Sequence, residues 1–528
     1  LALRAALLAR SAAGAADADR AWEAAAAADP RETDARVALA RHRLAHGDAA
    51  GAVAATEPVA ASAAKDPALA AVRVRALAGA GRALDALSLA DRALAAAPAD
   101  AALSLAKAGA LEGAGRIEDA AALYRSVADK RPAAWEPRLA LGRIALTRRQ
   151  LDVAAAELAA AAERAPRVGA VHAALGELRL ARGDTAGAEG AYRQALAVEP
   201  ECAAAETGLA RIALARGDGA AARARLERAL ALDPRDAEGY LAFGSLLWTA
   251  GDLGGAEKAL LAAVELEPRN ATALVRLGAV KLERGDVDGA VQRLTVATGE
   301  APRLAEAQQW LGRALLAKGE TPAAVSRLRR AVELDPASVD YHLHLGAALE
   351  RANALDEALE AYRAGAQADP TRPEPHERIA LLFAGNGRCD AAVPAYQKAI
   401  AVSPRLARLR VGLGDCELRI GKAEEAAKVF REVLRADPKA VPVLYRLGRA
   451  LHEAEGERAA LPWYERAARE EKDNPMPHYY LGYLYKERGE KRRAVESFKA
   501  FLAMKPDADE RKDIEAEIED LGGTVGPP

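Results

Sequence analysis

The sequence predicts an all-α fold: a right-handed α-solenoid superhelix of antiparallel helix pairs, closed by a C-terminal capping helix. Three observations predict it. Pro98, Pro132, Pro166, Pro200, Pro234, Pro268, Pro302, Pro336, Pro370, Pro404 and Pro438 fall 34 residues apart, and Pro30 and Pro506 share their phase. With that proline numbered 32, position 20 is Ala in fifteen successive repeats, from Ala18 and Ala52 through Ala256 to Ala494. Position 8 is Gly in nine of them, among them Gly142, Gly176, Gly346, Gly448 and Gly482, and Ala in five more.

Each element of the repeat has a mechanical reason. Antiparallel helices approach closely only where facing side chains are small, so positions 8 and 20 are expected to form the crossing within a pair. A second glycine near position 15, as in Gly183, Gly217, Gly251, Gly285, Gly319, Gly421 and Gly489, turns the first helix into the second. Apolar residues then recur at helical spacing, as in Val325, Leu328 and Leu334. Proline at position 32 ends the second helix.

About fifteen tandem repeats are expected over residues 1–508, forming one quasi-one-dimensional unit rather than several globular domains. Residues 1–100 are expected to be degenerate, because Pro58 falls inside a helix. Ala64 and Lys472 replace the phase proline in two repeats. The run Leu1–Arg10 reads as the first helix of the first repeat. Past Pro506, Ile514, Ile518 and Leu521 lie at i, i+4, i+7 among charges, which predicts a capping helix over residues 509–522 and a disordered tail over 523–528.

Leu481, Gly482, Tyr485, Ala494, Phe498 and Pro506 are the cleanest copy of the pattern. It resembles the tetratricopeptide repeat over nearly the whole chain. The Trp favoured at position 4 is missing, replaced by His172, Tyr240, His342, His376, His478 and others. The resemblance implies that first helices line a concave groove through positions 2, 5, 9, 12 and 13, and that the groove binds proteins or peptides.

Most of the middle groove then reads as bland: Ala173, Glu177 and Leu180 in one repeat, Thr207, Arg211 and Leu214 in the next. A weak patch is expected at Trp248 with Glu238 and Ser245. The last repeats differ. Tyr445, Arg449, His452, Tyr479, Tyr483 and Lys486, with Arg408 and Arg419 before them, give the aromatic and cationic composition of binding hot spots. These eight are the expected partner-binding residues for a peptide or carboxylate-bearing partner. The alternative is that the tyrosines pack between repeats.

Composition removes several function classes. A formal net charge of −2 gives no general reason to bind nucleic acid or an anionic membrane. No apolar stretch is long enough for a membrane span. The chain opens at Leu1 rather than Met, which reads as a fragment or a processed form. The Ala-, Arg- and Gly-rich N-terminal half suggests a bacterium with a GC-rich genome, leaving cytoplasm and cell envelope both open.

No catalytic constellation, cofactor loop or metal site is expected. His172, His342, His376 and His478 share position 4 and are expected to pack in the core, and His342 and His344 lie on different sides of one helix. The Gly-rich turns and the Arg182–Asp184, Arg216–Asp218 and Arg284–Asp286 triplets are expected to be turn chemistry. Cys389 and Cys416 fall on adjacent antiparallel helices, as a disulfide in an oxidising compartment or as two buried thiols.

These expectations converge on a non-catalytic scaffold or adaptor. One rival is the substrate-recruiting arm of an enzyme, resembling repeat arrays that precede glycosyltransferase domains. The other is a nucleic-acid reader of the pentatricopeptide kind, which the near-zero charge disfavours. Exposed repeat faces also offer a route to self-association.

Overall fold

A computed structural model describes residues 15–28, 33–438 and 443–524. They fall into two units, residues 1–285 and 286–528. The helix expected at Leu1–Arg10 and the last four residues of the tail lie outside the described residues.

Among the described residues thirty α-helices follow one another in chain order, with no strand. Most described repeats place the first helix near positions 1–13 and the second at positions 17–30, as in Ala237–Thr249 with Leu253–Leu266 and Val339–Arg351 with Leu355–Ala368. Helices of this length are marginal alone. Their stability comes from the face each buries against its partner and against the next repeat.

The turn between the two helices has one backbone solution. With one exception among the described repeats from Gly47 to Gly489, position 15 adopts positive φ, 76° at Gly47 and 74° at Gly489. Two repeats hold a side chain there, Arg149 at φ 58° and Asn353 at φ 57°. In the repeat of Tyr445 the glycine sits one residue later, at Gly456. Aspartate often follows the turn and caps the second helix: Asp184 accepts from Gly187 N–H at 2.8 Å, Asp218 from Ala221 at 3.0 Å and Asp286 from Gly289 at 3.0 Å. The Arg-Gly-Asp triplets are therefore turn and cap, as their position in the repeat predicts.

Positions 8 and 20 meet at the crossing as expected, a Cβ on Gly312 falling 3.2 Å from the Ala324 carbonyl oxygen, and position 24 joins them. Position 8 lies under the side chain of position 24. A Cβ on Gly346 would sit 2.3 Å from the Tyr362 ring, one on Gly482 2.4 Å from Phe498, and one on Gly142 2.5 Å from Leu158. Glycine there lets a large side chain lie flat across the first helix. Tyr192, Tyr362, Tyr464, Phe430 and Phe498 are all completely buried this way. Burying each such side chain contributes roughly 1.5–3 kcal/mol. The alanines of position 20, Ala18, Ala52, Ala256 and Ala494 among them, are also fully buried.

Position 4, where Trp is missing, has a polar substitute. His172 and His342 are buried, and each Nε2–H donates to the proline carbonyl that ends the preceding repeat, at 2.8 Å to Pro166 and 3.0 Å to Pro336. Gln308 and Arg410, at the same position, donate to Pro302 and Pro404. His376 and His478 depart from the expected core packing. They are half-buried and line small surface cavities, because neither reaches a carbonyl of this kind.

Pro58 leaves a local mark on the early repeats. The second helix there stops at Thr56 and continues as a 3₁₀ turn, Glu57–Ser62. Buried Arg73 secures the break by donating to Thr56 Oγ1 at 2.9 Å and pairing with Glu57. At the other end the expected cap forms as helix Arg511–Asp520, with Ile514 and Ile518 fully buried. Among the described residues no helix is long and apolar enough to cross a membrane.

Candidate functional site

The expected C-terminal site is partly assembled. Helices Ala407–Arg419 and Leu444–Glu455, with the segment 470–475, enclose a cleft of about 830 Å³. Asp415, Arg419, Tyr445, Arg446, Arg449 and Lys472 line it. The segment 470–475 bulges where Lys472 replaces the phase proline. Its shape is fixed by Glu471, a carboxylate only 3% exposed. Glu471 accepts from the Tyr445 backbone N–H at 3.1 Å and from Asn474 Nδ2 at 2.8 Å. This satisfies a donor at the start of the Tyr445 helix and holds the loop against it.

The charges in the cleft divide into paired and unpaired. Arg446 donates to both oxygens of Asp415, at 2.8 and 3.0 Å, which bridges successive first helices. Arg449 pairs with Glu453 at 3.0 Å on its own helix. Arg419 is exposed and, among the described residues, has no side-chain ion pair. With Lys472, exposed and likewise without an ion pair among the described residues, it makes up the cationic part of the cleft open to a ligand.

The tyrosines serve both readings. Tyr445 lines the cleft with one edge and packs with the other, its ring 5.9 Å from Tyr480. Tyr464 stacks on Tyr480 at 5.2 Å, and the edge of His452 meets both rings. Tyr479, its ring 5.4 Å from Tyr480, extends the packing to Tyr483, Phe498 and Phe501. Burial, with the neighbouring Tyr479, pushes the Tyr483 phenol up to about 12. His452, Tyr479 and Tyr483 are half-buried within this aromatic packing and do not line the cleft.

Two expected residues are committed elsewhere. Arg408 makes a two-pronged ion pair with Glu377 of the preceding repeat, at 2.8 and 2.9 Å. Lys486 pairs with Glu517 of the capping helix. Both pairs join residues 31 apart. The sequence position of each cation gave no sign of its partner.

Cys389 and Cys416 do come together. Both are buried free thiols, close enough for one to affect the ionisation of the other. Burial, with the adjacent Cys389, pushes Cys416 up to about 12. Among the described residues no group of His, Cys, Asp or Glu is arranged to hold a metal ion.

The middle groove is not bland. Arg143, Glu177 and Arg211 occupy position 9 of three successive repeats. Arg211 bridges Glu177, at 3.0 Å, and Glu238, and Tyr192 donates to Glu177 at 2.6 Å. Reading position 9 down the repeats, rather than across each one, would have found this row. The expected Trp248 patch is looser. The Trp248 indole N–H donates to Glu283 at 2.7 Å, Trp248 and Ser245 share a cavity of about 560 Å³, and Glu238 lies in a different one.

Sequence profiles described as tetratricopeptide repeat match residues 72–134, 139–193, 241–305, 311–373, 378–441 and 418–477. Two further profiles of that description match residues 179–242 and 478–508. No curated protein matches the chain in sequence. Among solved structures, MamA 41-end from Desulfovibrio magneticus RS-1 is 26% identical, covering 32% of this chain and 95% of its own, with a TM-score of 0.30. YrrB, titled a TPR protein with an unusual peptide-binding site, is 24% identical, covering 35% and 95%, with a TM-score of 0.29. The APC/C hetero-tetramer Cut9-Hcn1 is 13% identical, covering 94% and 92%, with a TM-score of 0.38.

Proposed function

Because the chain belongs to the tetratricopeptide repeat family, we propose that it is a non-catalytic scaffold whose C-terminal cleft docks a peptide or a carboxylate-bearing segment of a partner protein. The observation that carries this reading is the meeting of Tyr445, Arg419 and Arg449 in one open cleft. A half-buried aromatic edge offers an apolar anchor beside an unpaired guanidinium, which can take a carboxylate in two parallel hydrogen bonds. Arg446 and Asp415, already paired, hold the adjoining helices in place.

The test is fluorescence anisotropy on the full chain with labelled peptides that carry an aromatic residue beside a free C-terminal carboxylate. Arg419→Ala and Tyr445→Ala should each weaken binding about tenfold, near 1.4 kcal/mol. Arg408→Ala should leave it unchanged, since that guanidinium is committed to Glu377. Equal affinity for all four proteins would remove the cleft from the function.

A further inference from the structure

A second cleft, of about 470 Å³, lies in the first unit along helices Glu136–Thr147, Gly169–Ala181, Ala203–Ala215 and Ala237–Thr249. Ala173, Ala174, Ala181 and Ala204 form its floor, and side chains this short let a bound backbone approach the helices.

Its two walls carry opposite charge. Arg143 and Arg149 stand on one side, both exposed. Neither guanidinium has a hydrogen bond or an ion pair among the described residues. Asp233, Asp236 and Glu238 line the other side, Glu177 lies between the two, and Arg211 reaches only Glu177 and Glu238. That wall keeps an excess of negative charge. Asp236 is spent locally, accepting from Thr207 Oγ1 at 2.6 Å and from Gly239 N–H at 2.9 Å. Asp233 accepts only a neighbouring backbone N–H, from Arg235 at 2.9 Å.

We propose that this cleft is a second docking site, taking an extended peptide segment with an acidic residue at one end, held by Arg143 and Arg149, and a basic residue at the other, held by Asp233 and Glu238. Asp236 bonds Thr207, two first helices along from Arg143, and neighbouring helices pack roughly 8–10 Å apart, so the two walls are separated by about 16–20 Å. An extended chain covers that in roughly five or six residues, whereas a small dipolar molecule reaches only one wall. The carboxylate wall repels a phosphate backbone, which turns away nucleic acid.

Arg149 makes the site separable from the fold. It holds positive φ at a turn position where glycine stands in most other repeats. Arg149→Gly therefore removes the guanidinium while relieving the backbone, so any loss of binding cannot be a loss of folding.

The test uses the full chain and a fluorescein-labelled peptide of two Asp, four Ala and two Lys, in that order. Arg149→Gly and Arg143→Ala are each expected to weaken its binding about tenfold, while Arg149→Gly raises the urea midpoint. Glu238→Lys should abolish binding of this peptide and restore it for a version whose lysines are aspartates. The proposal is overturned if the peptide binds no better than its scrambled form. It is equally overturned if both arginine variants bind normally, or if an all-acidic peptide binds the unaltered chain as tightly. Arg419→Ala leaves this binding intact, which distinguishes failure here from failure of the C-terminal cleft.

Discussion

The cleft at Arg143 and the cleft at Arg419 are built on the same frame and present different chemistry. In the first, an alanine floor separates a cationic wall from an acidic one. In the second, Tyr445 backs an unpaired arginine among ion pairs that hold the helices together. The frame under both is nearly the same: a positive-φ turn at position 15, shifted to position 16 at Gly456 in the repeat of Tyr445, a fully buried alanine at position 20, and a small residue at position 8 beneath position 24. The lesson is that groove chemistry in a repeat array is set by a few outward positions and varies freely while the packing positions stay fixed. A scaffold can therefore carry distinct ligand preferences along one uniform architecture.

The strongest way to break the comparison is to attack what the two regions share. Gly176→Val in the first unit and Gly346→Val in the second would each drive a branched side chain into a buried tyrosine ring, Tyr192 and Tyr362 respectively. Each should cost about 3 kcal/mol by overpacking, read as a lowered urea midpoint. If one were tolerated and the other not, the frame would not be common to both units.

A smaller effect belongs to the second unit alone. Glu417 is 6% exposed, its Oε2 has no hydrogen-bond partner, and burial, then Glu425, raises its pKa. A carboxyl with a raised folded-state pKa binds its proton more tightly in the native state. Native stability therefore falls as the pH climbs from about 4.5 through the folded value. Glu417→Gln should be more stable than the unaltered chain at pH 7, by on the order of 1 kcal/mol. The advantage should fade below about pH 4.5. A pH-independent difference would show that charge is not its cause.

The smallest effect compares the two turns that lack glycine. Arg149→Gly should stabilise by up to about 1 kcal/mol, because a left-handed arginine is strained. Asn353→Gly should gain only a few tenths, since asparagine tolerates that conformation. Equal gains would mean that the arginine side chain makes no special demand on its turn.

Much of the frame was legible in the sequence because its causes are local. The proline phase, the turn glycines and the alanines of position 20 each answer to one steric need, and they gave the helix pairs in register. The role of position 8 was read only halfway: its glycines signalled close approach, but the partner at position 24 depends on how a ring lies across the neighbouring helix. The candidate sites were less legible. Tyr445, Arg419 and Arg449 could be picked out by type and position. That Arg408 is spent on Glu377 and Lys486 on Glu517 depends on side-chain reach between repeats. The charge row Arg143, Glu177, Arg211 was present in the sequence, hidden because each member looks ordinary within its own repeat.

The most direct test of the central claim, that one frame carries two different grooves, is a crossed binding experiment on the full chain. The aromatic, carboxylate-terminated peptide and the acidic-to-basic peptide are each titrated against Arg419→Ala and Arg149→Gly. Each substitution should weaken its own peptide about tenfold and leave the other unchanged. Loss of both peptides on either substitution, or of neither on both, would contradict it.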